Sequence, residues 1–332
     1  EMMIKIAVII PYFGKFPNYF ELFLKSCKMN PTIDWIIFTD SKENYHYPAN
    51  VRRIETTFEE LKSRFQKKFD FKIALDSPYK LCDYKVMTGY LFEDYLEGYD
   101  YWGYSDVDML FGDIRKFLPD EKICQYDKVG HLGHLTLYRN TPEINELFKK
   151  SIYGHERYKE VLSSNQHFSF TEWFQININD IFVDQNKKIW FCNDFFDVEA
   201  YEENFHRITL QIDYDHLQDR KWVLERGGSF ASWENGKVFQ WKKEKGKWKK
   251  IEYMYVHFQK RKMRVNINPF NEDRFLCVPN EFVPYCDVIP IKYRLRSIFM
   301  GIWNKKHWKH WWETFRYRII ERTGPVRHAF RK

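Results

Sequence analysis

The 332-residue chain has no GxxxxGK[ST] phosphate loop, no G-x-G-x-x-G in a strand–turn–helix setting and no GxSxG elbow. These absences exclude the common nucleotide-triphosphatase, dinucleotide-binding and serine-hydrolase layouts. Gly227-Gly228-Ser229 reads as a turn, not a phosphate cradle. Six cysteines (Cys27, Cys82, Cys124, Cys192, Cys277 and Cys286) are scattered without CxxC spacing. That pattern argues against a disulfide framework or a cysteine zinc site, and for free thiols in a reducing compartment. No run of 18 apolar residues is present, which excludes an ordinary membrane-spanning helix. The apolar residues 4–11 are too few to span a bilayer and lack a signal-peptide layout. The expectation is a cytoplasmic protein that is not integral to a membrane. No internal repeat, low-complexity segment or flexible linker interrupts the chain.

What is present is aromatic and unevenly charged. Aromatics make up 19% and hydrophobic residues 44%, which argues against disorder and leaves ample material for a core. The formal net charge is +7, yet residues 290–332 hold twelve Lys or Arg against two Glu, so the rest sums to about −3. The same tail carries Phe299, Trp303, Trp308, Trp311, Trp312, Phe315 and Tyr317. Basic charge interleaved with large aromatics suits a helix lying in an anionic membrane interface. A helix pair packing its aromatics on the main domain fits the same composition. No recognition motif accompanies the charge, so no nucleic-acid partner is expected. The simplest organisation is a catalytic domain over residues 1–289 followed by a basic, aromatic helical appendage over 290–332.

The periodicity predicts an α/β chain. Residues 4–11 (IKIAVIIP) read as a buried strand, and 18–27 as a helix through Phe20, Phe23, Leu24 and Cys27. A second strand over 35–38 ends at Thr39-Asp40. Helices are expected over 57–69 and 80–97, then a strand over 101–104. Beyond Lys128 the pattern predicts a strand over 129–138 and helices over 142–151 and 171–182. Residues 229–258 alternate through the turn signals ENGK and EKGK, reading as a small antiparallel meander. Strand–helix–strand order with polar strand ends fits a mostly parallel, Rossmann-like sheet flanked by helices, its carboxyl edge carrying the site.

The richest stretch is YDYWGYSDVDMLFGD, residues 99–113. An aromatic strand ends at Asp106-Val107-Asp108 and runs into an apolar segment closed by Gly112. Two carboxylates one residue apart at a strand end suit a divalent cation, and a cation held there can grip a diphosphate. Asp108 is the expected principal ligand, with Asp106 sharing the ion or contacting a ribose. A pair of solvated turn carboxylates would read the same way, though the apolar flanks argue against it.

These residues resemble the GT-A glycosyltransferases, in particular the bacterial enzymes encoded with capsule and exopolysaccharide genes. The resemblance spans roughly residues 4–264 and rests on Pro11-Tyr12-Phe13, Thr39-Asp40, Asp106-Val107-Asp108 and a late strand delivering His257. It implies a nucleotide-sugar donor, usually a UDP-sugar, with Mn²⁺ or Mg²⁺ bridging its diphosphate. It also implies that His257 completes the metal shell while Lys260 or Lys262 grips phosphate, roles that suit a neutral imidazole and an ammonium point charge. A strand-end histidine beside a solvated basic turn is the plainer alternative.

The resemblance further implies that Asp83 and Lys85, in PYKLCDYK, face the donor, although Asp83 equally fits a helix-start residue. Tyr12 and Asp40 fall where such folds hold the nucleobase. Glu172 is the candidate general base for the acceptor hydroxyl, though the acidic pair usual in the family is absent and a helix-start carboxylate needs no catalytic role. His131 and His134, in GHLGH, lack the partners of a zinc site and read as a substrate-facing loop. The resulting expectation is a glycosyltransferase acting on a glycan or lipid-linked acceptor in cell-surface polysaccharide synthesis, peripheral on the inner face of the membrane. The alternatives are a metal-dependent nucleotidyltransferase or phosphohydrolase using the same carboxylates, or a non-catalytic carbohydrate- or membrane-binding module.

Overall fold

Strand β1 (Ile6–Pro11) is almost completely buried, and its side chains divide by parity between two cores. Ile6, Val8 and Ile10 meet Phe20, Phe23, Leu24 and Cys27 of helix α1 (Phe20–Lys28) on one face. Ala7 and Ile9 meet Leu61 and Phe65 of helix α2 (Phe58–Gln66) on the other. A strand buried on both faces must be apolar at successive positions, which is why this segment reads as an unbroken run. Each fully buried Leu or Phe of this kind contributes roughly 2 kcal/mol of burial. α2 begins with a capping box in which Thr57 and Glu60 answer each other's backbone N–H.

The computed structural model describes residues 3–172, 176–202, 204–212, 220–225, 230–259 and 261–302. Around β1 the sheet is completed by β2 (Ile33–Thr39), β3 (Val51–Glu55), β4 (Tyr101–Ser105), then, beyond β5 (Met109–Phe111), by β6 (Lys128–Val129), β7 (Leu135–Arg139) and β8 (Ile189–Trp190). The order is β3-β2-β1-β4-β7-β6-β8. Only β7 runs against the rest, since β4 and β6 each pair with it antiparallel while the other pairs are parallel. The expected mixed α/β fold, with a mostly parallel sheet and helices on both faces, is what the chain forms.

A three-stranded sheet sits beside it, built from β5, β9 (Phe196–Asp197) and the later strand β15 (Tyr255–His257), with β10 (Arg207–Ile212) and β11 (Arg220–Glu225) forming a separate two-stranded sheet. The expected meander is β12 (Phe230–Glu234), β13 (Lys237–Glu244) and β14 (Lys247–Tyr253), turning at the predicted ENGK and EKGK positions. β15 (Tyr255–His257) leaves it to pair with β5 and β9. β16 (Arg264–Val265), β17 (Arg274–Val278) and β18 (Glu281–Pro284) widen the meander to a six-stranded sheet. Gly112 permits the junction, because a Cβ there would lie 2.9 Å from the Tyr253 carbonyl oxygen.

Four local expectations need correction. Residues 80–97 form no single helix but a chain of short turns, Pro78–Lys80, Leu81–Tyr84, Lys85–Met87, Thr88–Leu91 and Glu93–Tyr95. Gly89 is pressed so closely on the Trp102 indole that a Cβ would clash at 2.3 Å, and this packing sets the segment's path more than helix propensity does. The helix expected over 171–182 begins only at Ile178, capped by Asn177, and Thr171 and Glu172 lie in a turn. The strand expected over 129–138 is split into β6 and β7 by the GHLGH loop. The helix expected over 142–151 is a four-residue helix, Pro142–Asn145, followed by a 3₁₀ turn, Leu147–Lys149.

All six cysteines are free thiols. Among the described residues no helix is long and apolar enough to cross a membrane. The helix Ile291–Ile302 docks on the body through Arg296, paired with Glu281, and Ser297, bonded to Asn204. Residues 303–332, including the four tail tryptophans, lie outside the described residues.

Candidate metal and donor site

The carboxyl edge of the parallel sheet brings the ends of β1 and β4 side by side, the usual place for a ligand in an open α/β sheet. β4 ends at Ser105, so Asp106 is the first residue past the strand, and its N–H is held by the His134 carbonyl at 3.0 Å. The chain then turns through Val107, buried at 4% exposure, and Asp108 enters β5. β5 pairs antiparallel with β15 in the register Met109↔His257, and the Phe258 N–H donates to the Asp108 carbonyl at 2.9 Å. This pairing carries His257 to the Asp-x-Asp turn from 149 residues away in sequence.

Asp106, Asp108 and His257 bring one donor atom each to within 4.8 Å of one another. His257 Nε2 lies 3.4 Å from Asp108 Oδ1 and 3.9 Å from Asp106 Oδ2. Bonds of about 2.1 Å to one ion leave two ligand atoms roughly 3–4 Å apart, so the set fits a shared cation. Two hard carboxylate oxygens with one imidazole suit Mg²⁺ or Mn²⁺.

The surrounding electrostatics favour a cation as well. Asp106, Asp108 and Asp197 all crowd one imidazole, with His257 Nδ1 at 2.8 Å from Asp197 Oδ1. Burial alone would lower the His257 pKa, but the carboxylates of Asp108 and Asp197 outweigh it and hold it well above the ordinary value. Lys85 answers Asp106 at 2.6 Å and also donates to the Gly133 carbonyl at 2.7 Å. Burial opposes its charge, yet the Asp106 carboxylate keeps its pKa raised.

Asp106, Asp108, His257 and Lys85 line a cavity of about 920 Å³, near the upper end of the volumes that small-molecule sites reach. Its walls include Tyr12 and Lys15 from the β1–α1 loop, Tyr79 and Cys82 from the short turns, Tyr201, and Lys262 after β15. Tyr12 stacks on Phe16 with ring centres 4.8 Å apart. Its hydroxyl pKa is raised by burial and by the charges of Asp108 and Asp106.

Six sequence-predicted residues therefore converge on one cavity: Tyr12, Lys85, Asp106, Asp108, His257 and Lys262. Others do not. Asp40 accepts the Gly14 N–H at 2.9 Å and so ties the β1–α1 loop to the end of β2, without lining the cavity. Asp83 is wholly enclosed, paired with Lys80 at 2.9 Å and accepting the Phe168 and Phe170 N–H groups. Burial pushes its pKa up, but hydrogen bonds from His167, Lys80 and Phe168 prevail and bring it down to about 2. Glu172 lies behind the wall, bonded to Thr171 Oγ1 at 3.2 Å, with burial raising its pKa. A Cβ added to Gly133 would sit 2.8 Å from Glu172 Oε2. Lys260 lies outside the described residues.

The GHLGH histidines face the interior rather than a substrate, a further correction. His131 and His134 are 1% and 5% exposed, and burial drives both pKa values down to about 3. His134 stacks on His257 with ring centres 4.7 Å apart.

Asp197 and Gln259 were missed from the sequence. Asp197 closes a two-residue strand with no motif around it, and only its place after the apolar pair Phe195-Phe196 hinted at a strand-end carboxylate.

Comparison with known proteins adds the following. No curated protein matches the chain. Among solved structures, the galactosyltransferase LgtC in complex with donor and acceptor sugar analogues is similar at 14% identity. That match covers 58% of this chain and 75% of LgtC, with a TM-score of 0.33. Mouse xyloside xylosyltransferase 1, in its apo form, is similar at 7% identity, covering 60% of this chain and 88% of its own, with a TM-score of 0.32. Superpositions this loose carry no argument about the activity of the present chain. The family described as "Family of unknown function (DUF6625)" matches residues 8–286. With most of its length matched, the chain belongs to the DUF6625 family.

Proposed function

We propose that the chain is a metal-dependent glycosyltransferase of the GT-A type, moving a hexose from a nucleotide sugar to a glycan or lipid-linked glycan acceptor. A UDP-sugar is the donor to test first, and cell-surface polysaccharide synthesis is the proposed setting. The observation that carries this reading is the convergence of Asp106, Asp108 and His257 on a large cavity at the carboxyl edge of the sheet.

Asp106, Asp108 and His257 would hold Mn²⁺ or Mg²⁺. When bound, such an ion neutralises the diphosphate that leaves as the glycosyl bond breaks. Lys262 and Lys15 on the cavity wall supply positive charge for phosphate oxygens, and Lys260, two residues before Lys262 in sequence, is a further candidate for that role. Tyr12 offers a ring face to the nucleobase. Lys85 fixes Asp106 through their ion pair and keeps its carboxylate aimed at the cavity edge. Glu172 does not line that cavity, so it is not assigned contact with the acceptor.

Membrane association belongs to the same proposal. The described part of the C-terminal helix exposes Ile291, Leu295 and Ile298 at 64%, 48% and 62%. Their 4- and 3-residue spacing makes an apolar stripe, and Lys292 and Arg294 flank it. Because Arg296 and Ser297 bond to the body, truncation after residue 302 removes the tryptophan-bearing part of the tail and keeps that docking. The truncated protein should lose most sedimentation with anionic liposomes, and undiminished binding would contradict the interface role.

The activity itself is tested by nucleotide release from a panel of UDP- and GDP-sugars with Mn²⁺, with and without glycan acceptors. Acceptor-dependent release lost in Asp108→Ala supports transfer. Metal-dependent turnover that no sugar acceptor stimulates would point instead to a phosphohydrolase or nucleotidyltransferase.

A further inference from the structure

Among the described residues His257 belongs to two clusters of metal-ligating side chains, and the two differ in kind. One is Asp106, Asp108 and His257, at the cavity. The other is His134, Asp197 and His257, in which every member is buried. The second cluster is held together by hydrogen bonds at two of its ring nitrogens. Its His257 Nδ1 and Asp197 Oδ1 are 2.8 Å apart, a direct hydrogen bond, and His134 Nδ1 is already 2.8 Å from the Tyr255 hydroxyl.

We propose that Asp197 is the positioning residue of the metal site: by accepting the Nδ1–H of His257 it leaves Nε2 as the ring nitrogen that faces Asp106 and Asp108. The proposal rests on the metal site argued above. Its geometry is that of a metal-bound histidine whose other ring nitrogen donates to a carboxylate, which fixes tautomer and ring orientation and raises ligand basicity. The carboxylate is itself held. Gln259 donates its side-chain amide to Asp197 Oδ1 at 2.8 Å, and Gln259 adopts a left-handed backbone with φ 49°. That conformation is costly for a residue other than glycine and persists where surrounding contacts require it. Backbone pairing completes the frame, since β15 and β9 run parallel with His257 opposite Asp197 and the Val198 N–H donates to the His257 carbonyl. The His134 ring closes one face of His257 at 4.7 Å. The imidazole is therefore clamped at Nδ1, along its backbone and on one face, with Nε2 on the cavity side.

The test is Mn²⁺ binding to the full chain, without nucleotide, followed by electron paramagnetic resonance of the free ion. Echo-modulation spectra of the bound ion report a coordinated imidazole nitrogen. Wild type, Asp197→Asn, Asp197→Ala and Asp108→Ala are compared, each checked for an unchanged thermal transition. Asp197→Asn retains an acceptor oxygen and should weaken Mn²⁺ about 10-fold. Asp197→Ala should weaken it by up to about 100-fold and remove or alter the nitrogen modulation. Should Asp197→Ala fail to fold, the Asn variant alone decides. Wild-type binding with imidazole modulation, unchanged in folded Asp197 variants, overturns the positioning role while leaving the metal site standing. Wild-type binding that lacks the nitrogen signal overturns it too, by removing His257 from the coordination shell. No Mn²⁺ binding in wild type overturns both this role and the metal site beneath it.

Discussion

Asp83 and Asp108 both lie on segments that wall the same cavity, yet their surroundings are opposite. Asp83 is enclosed by its own partners: an ammonium from Lys80, the His167 ring and two backbone N–H groups. Its charge is fully answered, and together with Lys80 it ties residues 166–170 to the turns that carry Tyr79 and Lys85. Asp108 instead joins Asp106 and Asp197 in crowding a single imidazole at the cavity edge. The difference teaches how to read a buried acid: one whose charge is balanced by fixed partners holds the fold together, and one in a negative excess beside a cavity is suited to receive a cation.

The largest expected effect breaks the structural half of this contrast. Asp83→Ala leaves Lys80 charged and enclosed, so urea unfolding should show a loss of about 3–5 kcal/mol. Mn²⁺ affinity of the remaining folded protein should stay within about threefold of wild type, because Asp83 contributes no donor to the ion.

Asp108→Ala is the mirror experiment. Mn²⁺-dependent nucleotide affinity should fall at least ~100-fold, about 2.7 kcal/mol. Unfolding free energy should change by less than ~1 kcal/mol, since a strained excess of negative charge is relieved. A large stability loss with little effect on affinity would reverse the assignment of the two acids.

Acid titration sharpens the comparison. Asp83 has a folded pKa of about 2 against an ordinary 3.8. Its folded value is depressed, so its contribution is complete above the ordinary pKa and is lost as pH falls toward 2. Roughly 2 kcal/mol of stability should disappear between pH 4 and 2, and Asp83→Asn should lack that component. The measurement is urea unfolding repeated across that range.

The smallest effect concerns Glu172, whose folded pKa is raised by burial. A raised carboxylate costs stability once pH exceeds its ordinary value, with the full cost present above the folded pKa. Glu172→Gln should therefore be neutral or stabilising by up to about 1 kcal/mol at pH 8, read as a small rise in melting temperature. A destabilisation of several kcal/mol would show that Glu172 is held as a charge by Lys85.

Where the sequence was readable, a local pattern coincided with a global constraint. β1 and β2 are buried on two faces, so their apolar runs announce both strand and burial. Asp106 and Asp108 were legible because an aromatic strand and an apolar segment flank them. His257 was legible through the resemblance and the preceding strand. Asp83 shows the limit, since nothing in PYKLCDYK tells whether a carboxylate at a turn faces a donor or a loop 85 residues onward. That choice is made by tertiary packing, as is the break-up of residues 80–97 against Trp102. Asp197 was illegible for a related reason. Its partner is 60 residues away, and a two-residue strand has too little periodicity to reveal which face its side chains take.

The central claim, that Asp106, Asp108 and His257 hold a cation which grips a nucleoside diphosphate, is tested most directly by calorimetric titration of UDP. The titration is run with and without Mn²⁺, into wild type and Asp108→Ala, with GDP as the comparison nucleotide. The account predicts UDP binding that requires both the metal and Asp108. Binding of equal strength without Mn²⁺, or in Asp108→Ala with it, would contradict the account.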